Sequence, residues 1–326
     1  MYEQLRVQQL RRTYSAQGWA LLIYYGILNV AVMIIMFIDA FRQAFSMAAA
    51  GGELDPDMLV DAMMANSGWG YFIAIGVGLI ILLIWKKPKF CFETMWTRGK
   101  PMTVSSFFGI LVIFTAAQLG AQLLYMLLEF LFNLGGLSIV QTMESAGGSM
   151  DALSMFLYIG LGAPISEELL FRGLALRSME PYGKKFAIFA SALMFGLYHG
   201  NIIQIPFAFV VGLVLGYVTV EYNIGWAIVL HMFNNLILSD TLTRLTAQLP
   251  QPWPDLTFWL IIIGCTVAAI LILIVKRKAI KLWLRRYQDD PLCAKAFWSA
   301  PGIIVLVVML IVMTLVSTGM MITPLE

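Results

Sequence analysis

Charge is what this sequence has least of. Only 12% of its 326 residues are Asp, Glu, Lys or Arg, against 60% hydrophobic, and the mean hydropathy is +0.83. Soluble domains are about one-quarter charged and just under half apolar, so the composition excludes a soluble fold and indicates a polytopic membrane protein. Cysteine is scarce too. Cys91, Cys265 and Cys293 stand apart with no CxxC or Cys/His spacing, so there is no disulfide framework and the thiols read as isolated. No basic patch interleaved with aromatics points to nucleic acid. No serine lies in a GxSxG context, and the HExxH helix of ordinary zinc proteases is missing. No internal repeat, low-complexity tract or soluble domain is visible. Histidine is limited to His199 and His231, each inside an apolar segment.

What the sequence does have is a series of apolar runs near the membrane-crossing length of ~20 residues. They lie at about 18–38, 68–85, 105–128, 152–175, 186–200, 205–220, 225–238, 256–275 and 302–321. The expectation is an all-α polytopic bundle of about nine transmembrane helices. The first run follows Arg6, Arg11 and Arg12 but is too long for a signal-peptide core, so it reads as a retained helix. With the N-terminus cytoplasmic, every lysine and arginine except Arg42 and Arg244 falls on the inner side. The outer segments carry acids instead, among them Glu53, Asp55, Asp57, Asp61 and Glu144. That is the positive-inside pattern. The basic stretch 276–286, with Ile280, Leu282 and Trp283, reads either as an interfacial helix at an anionic leaflet or as the cap of the eighth span. Gly212 and Gly216 form a small-xxx-small pair suited to close helix packing.

Against this background one segment stands out. Residues 162–173 place Glu167, Glu168 and Arg172 inside an apolar run, where an ionisable group is costly and by default functional. On a helix Glu168 and Arg172 share a face at i and i+4, while Glu167 points elsewhere. Pro164 removes a backbone donor and opens the helix beside the carboxylates. Glu167 and His199 lie at nearly equal sequence distances from the turn at Tyr182, and hence at similar depth. Phe195 with His199, and His231 with Asn235, are further i, i+4 pairs. Singly, each has a structural explanation as a buried ion pair or an interhelical hydrogen bond. Together they are the groups that could activate a water and stabilise a developing oxyanion.

In that order, Glu167-Glu168-Leu169-Leu170-Phe171-Arg172, Phe195 to His199 and His231 to Asn235 resemble the EExxxR, FxxxH and HxxxN motifs of the CPBP family (CAAX protease and bacteriocin-processing, or Abi). This is a family of intramembrane glutamic endopeptidases that includes the Ras-converting CAAX endopeptidases. The resemblance implies that Glu167, together with His199, activates water. It makes His231 and Asn235 the oxyanion hole, and Glu168 with Arg172 supporting residues. It covers about 152–240, which divides the chain into N-terminal helices (1–151), a protease core (152–240) and C-terminal helices with a basic cytoplasmic loop (241–326). No cofactor is expected; the alternative is zinc held by Glu167, His199 and His231. The expected partners are the lipid bilayer and a membrane-associated peptide or protein, of prenylated CAAX or precursor type. The expected location is a multi-pass membrane position (the cell membrane if the source is a prokaryote), with the site towards the cytoplasm. Two other readings use the same residues: a transporter or proton relay, and a non-catalytic scaffold or bacteriocin-immunity protein.

Overall fold

Apolar runs of this kind can satisfy their backbone in lipid only as helices or closed barrels, and the computed structural model is a bundle of helices. It describes residues 2–51, 53, 55–146 and 150–325. In chain order the helices are α1 (Tyr2–Ala49), α2 (Pro56–Lys89), α3 (Val104–Asn133), α4 (Val140–Ser145), α5 (Leu153–Tyr182) and α6 (Lys184–Tyr198). There follow α7 (Gln204–Glu221), α8 (Ile224–Leu238), α9 (Leu242–Ala247), α10 (Trp253–Arg286), α11 (Cys293–Trp298) and α12 (Pro301–Met320). Among the described residues, strand is confined to an antiparallel pair, β1 (Leu137–Ser138) with β2 (Thr323–Pro324).

Seven of the helices among the described residues are long and apolar enough to cross a membrane: α1, α2, α3, α5, α7, α10 and α12. The expected count of nine is therefore not established. The two remaining runs form the shorter helices α6 and α8. The 15 residues of α6 rise only about 22 Å, less than the ~30 Å hydrocarbon layer. The basic stretch 276–286 is not a separate interfacial helix. It is the continuation of α10, whose 34 residues run unbroken to Arg286. Near its end Trp283 donates from Nε1 to Glu221 Oε1 at 2.7 Å and packs its ring on Tyr217.

α1 packs along α2 on one side and α12 on the other, while α10 lies along α3 and α3 against α7. The helices α5 to α8 are held between these two flanks. Gly18 and Gly302 let α1 and α12 come into backbone contact, because a Cβ on either would fall on the other helix's main chain. Outward faces carry exposed apolar side chains such as Phe37, Ile84, Leu271 and Val308, as a lipid-facing surface requires.

The connecting segments sort into two ends. At one, Arg6 pairs with Asp290 at 2.8 Å, Lys295 with Glu3 at 3.1 Å, Lys86 donates to Ser178 at 3.3 Å, and the Lys100 amide donates to Glu221 O at 2.9 Å. At the other, Asn201 donates to Thr142 O at 2.8 Å, Arg244 meets Asp151 at 3.2 Å, and β1 meets β2. Basic loops thus gather at the first end. The cysteines are free, as their spacing predicts.

Candidate active site

The helix carrying the two glutamates is not a regular α-helix. It widens into π-turns at Tyr158–Gly162 and again at Glu168–Leu176. Pro164 explains the first. In this wider register the Ala163 amide donates to Tyr158 O, so the donor due at the next carbonyl, that of Ile159, would be Pro164, which has no N–H. The orphaned Ile159 carbonyl is taken by Asn235, whose Nδ2 donates to it at 2.9 Å. Asn235 itself lies in a π-turned segment, Asn234–Thr241. In the second wide turn, the Phe171 carbonyl accepts from Ser191 Oγ of α6 at 2.7 Å. Helix turns of this type concentrate at functional sites because they re-aim side chains.

The two adjacent carboxylates have different surroundings. Glu168 is fully buried. Its Oε1 accepts from Arg172 at 3.0 Å and meets His231 Nδ1 at 2.9 Å. Arg172, also fully buried, donates to Gly212 O at 3.2 Å and lays its guanidinium on the Phe195 ring, 4.1 Å from the centroid. Gly212 makes this reach feasible: a Cβ there would press on Ala192 and Phe195, 3.1 and 3.2 Å away. Glu167 points away from this pair and keeps 15% side-chain exposure, against 0% for Glu168. Its Oε2 stands 3.8 Å from His231 Nε2. That is beyond direct hydrogen-bond range and within the reach of a bridging water.

His231 therefore links the Glu168–Arg172 pair to Glu167. His199 enters through Phe195: its Nδ1 bonds Phe195 O at 2.8 Å, and the Phe195 ring meets both imidazoles edge-on, at 4.8 Å for His199 and 5.7 Å for His231. No ion-pair contact joins Glu167 to His199 among the described residues; the imidazole that Glu167 meets is that of His231. The neighbour Asn234 is buried and donates to Asn235 Oδ1 at 3.1 Å. Because Nδ1 of each histidine faces a carbonyl or carboxylate, the hydrogen-bond network assigns the proton of the neutral ring to Nδ1. Nε2 is then an acceptor in both rings. Among the described residues, no group of three or more His, Cys, Asp or Glu is placed to hold a metal ion.

The sequence did not point to the aromatic side chains around Glu167. Tyr24 of α1, Tyr158 of α5 and Tyr198 of α6 all stand within electrostatic reach of its carboxylate. The available signal was their depth: membrane tyrosines favour the interfaces, and Tyr24 sits well inside the first apolar run.

A search of curated proteins and a search of solved structures each return no match. A scan against protein families matches the family described as type II CAAX prenyl endopeptidase Rce1-like, over residues 149–237, a stretch that contains Glu167, His199, His231 and Asn235. Residues 149–237 are thus similar to an Rce1-like domain, which is consistent with the CPBP family.

Proposed function

We propose that the chain is an intramembrane endopeptidase that hydrolyses a membrane-associated peptide, of CAAX or precursor type, with water activated by Glu167 and histidine. The observation that carries this reading is the pairing of a partly accessible acceptor, Glu167 Oε2, with His231 Nε2 across 3.8 Å. Two acceptors at that separation are satisfied together by a water donating one proton to each. Its lone pairs are then free to attack a carbonyl carbon. Glu167 takes the first proton as general base, and the histidines are the proton acceptors beside it.

Glu168 and Arg172 fix the His231 ring through its Nδ1 proton, the positioning that a base needs from a third group. Asn235 has one amide hydrogen on Ile159 O and a second free to donate to an oxyanion, alongside an imidazole once it is protonated. The domain end with the basic loops faces the cytoplasm, and the peptide enters from that side. A metal-free route uses every one of these groups. The proton-relay alternative uses Asn235 only to hold the Ile159 carbonyl.

Comparative peptidomics of membranes containing the parent chain or Glu167→Ala tests this directly. Peptides cut only in the parent are expected, with equal insertion of both proteins in the membrane. An identical peptide profile in the two membranes would overturn the reading.

A further inference from the structure

Two buried hydroxyls beside the site have no task in the chemistry above. Tyr24, 5% exposed, comes from α1, far outside the matched domain, and its Oη has no hydrogen-bond partner. It lies beside Ser166, whose hydroxyl donates to Ala163 O at 3.1 Å, but the two hydroxyls are not in hydrogen-bond geometry with each other. Gly78 of α2 makes room for the Tyr24 ring, onto which a Cβ at that position would fall. Tyr198, the residue before His199, likewise has a buried Oη without a partner. Its ring is held edge-on by Phe171 at 5.2 Å and by Tyr25 of α1 at 5.2 Å. Tyr158 completes the wall, stacked at 4.0 Å on Tyr71 of α2. The two unpaired hydroxyls and the Glu167 carboxylate are close enough to interact electrostatically with one another.

Buried polar groups in native proteins are almost always hydrogen-bonded, so two phenols without a protein partner beside one carboxylate are available to a ligand's polar groups. A peptide entering a site at membrane depth has the matching need. Each of its backbone N–H and C=O groups costs several kcal/mol if left unpaired in an apolar surrounding. A phenol hydroxyl can donate to the carbonyl or accept from the amide.

We infer that Tyr24 and Tyr198 bind the substrate's peptide backbone next to the scissile bond, so that α1 completes a substrate site which the matched domain holds only in part. The inference rests on the endopeptidase reading and assigns these residues to positioning rather than to the chemical step.

The test uses the full chain in lipid nanodiscs and a dansylated, farnesylated CAAX hexapeptide as probe. Binding is measured by fluorescence in a Glu167→Gln background, where the peptide stays intact. Tyr→Phe keeps the ring and its packing and removes only the hydroxyl. Tyr24→Phe and Tyr198→Phe are each expected to weaken the Kd roughly three- to tenfold, the loss of one neutral hydrogen bond, and the double variant further. A double variant that binds within about twofold of its parent overturns the inference, and so does a parent that binds no probe. In chains with Glu167 intact, the same substitutions are expected to raise KM with kcat nearly unchanged. A fall in kcat at constant KM would move the hydroxyls onto the reaction and overturn the positioning role. Failure of the endopeptidase reading looks different: probe that binds the Glu167-intact chain, in a tyrosine-dependent way, and is never cut.

Discussion

Glu168 is the residue on which the site's order depends, because one buried oxygen serves both Arg172 and His231. Removing a single partner of a buried ion pair strands the other and costs about 3–5 kcal/mol, whereas replacing both by apolar groups of similar volume is often near neutral. Arg172→Met is therefore expected to lower the melting temperature sharply in detergent. Glu168→Leu combined with Arg172→Met is expected to recover much of that loss. The double variant should still be inactive, since His231 loses the acceptor for its Nδ1 proton; the comparison needs only a thermal melt and a cleavage assay. The i, i+4 spacing made the Glu168–Arg172 pair legible in the sequence. The contact of Glu168 with His231 was not legible, because it depends on how a π-turned helix rotates its side chains towards a neighbour.

A second residue-scale expectation concerns Asp290, at the end of the bundle with the basic loops. The Leu292 amide and then the Arg6 guanidinium hold its carboxyl below the ordinary aspartate value of 3.8, with partial burial opposing them. The folded-state pKa is thus the lower one. The stabilisation is fully present above the unfolded value and is lost as pH falls through the folded one. Melting temperature is expected to drop below about pH 4, and Asp290→Asn should flatten that limb of the profile.

Among the elements, α5 owes its shape to Pro164. Its missing N–H leaves Ile159 O to Asn235, so Pro164→Ala supplies a competing donor within the helix and releases the amide. The expected outcome is an unchanged or raised melting temperature with activity lower by an order of magnitude. A proline in this apolar run was visible as a point of opening, but its link to Asn235 requires the wider register, which no periodicity displays. The α1–α12 contact gives a complementary case. A side chain at Gly18 or Gly302 meets backbone rather than a movable side chain, so Gly18→Leu should destabilise by at least the 1–3 kcal/mol typical of overpacking. The melting temperature of Gly18→Leu, compared with that of Gly26→Leu, where a Cβ meets nothing within 4 Å, isolates the effect.

For the molecule as a whole, alternation of basic loops was the most informative feature of the sequence. It sorted the connections into two groups, and the structure gathers those groups at two ends. It was weaker on number, because α6 and α8 fall short of the membrane-crossing length and seven helices among the described residues reach it. Sidedness has a direct test in a cysteine-free background. Glu144→Cys should react with an impermeant maleimide on intact cells, and Gln288→Cys only after permeabilisation; the reverse pattern would invert the proposed orientation. Motif spacing brought out the stretch that matches the Rce1-like family, while the contribution of α1 stayed hidden, since a tyrosine among apolar residues has no periodic signature.

The small sheet between β1 and β2 bears on how the chain tolerates handling. Thr323 and Pro324 clip onto Leu137 and Ser138, and the Leu325 amide reaches Gly136 O at 3.0 Å. Yet Glu129 independently anchors the same turn through Ser138 Oγ at 2.9 Å and the Ile139 amide at 2.8 Å. Trimming the last few residues, or fusing an affinity tag there, would unfasten the tail and leave the turn after α3 tethered from within.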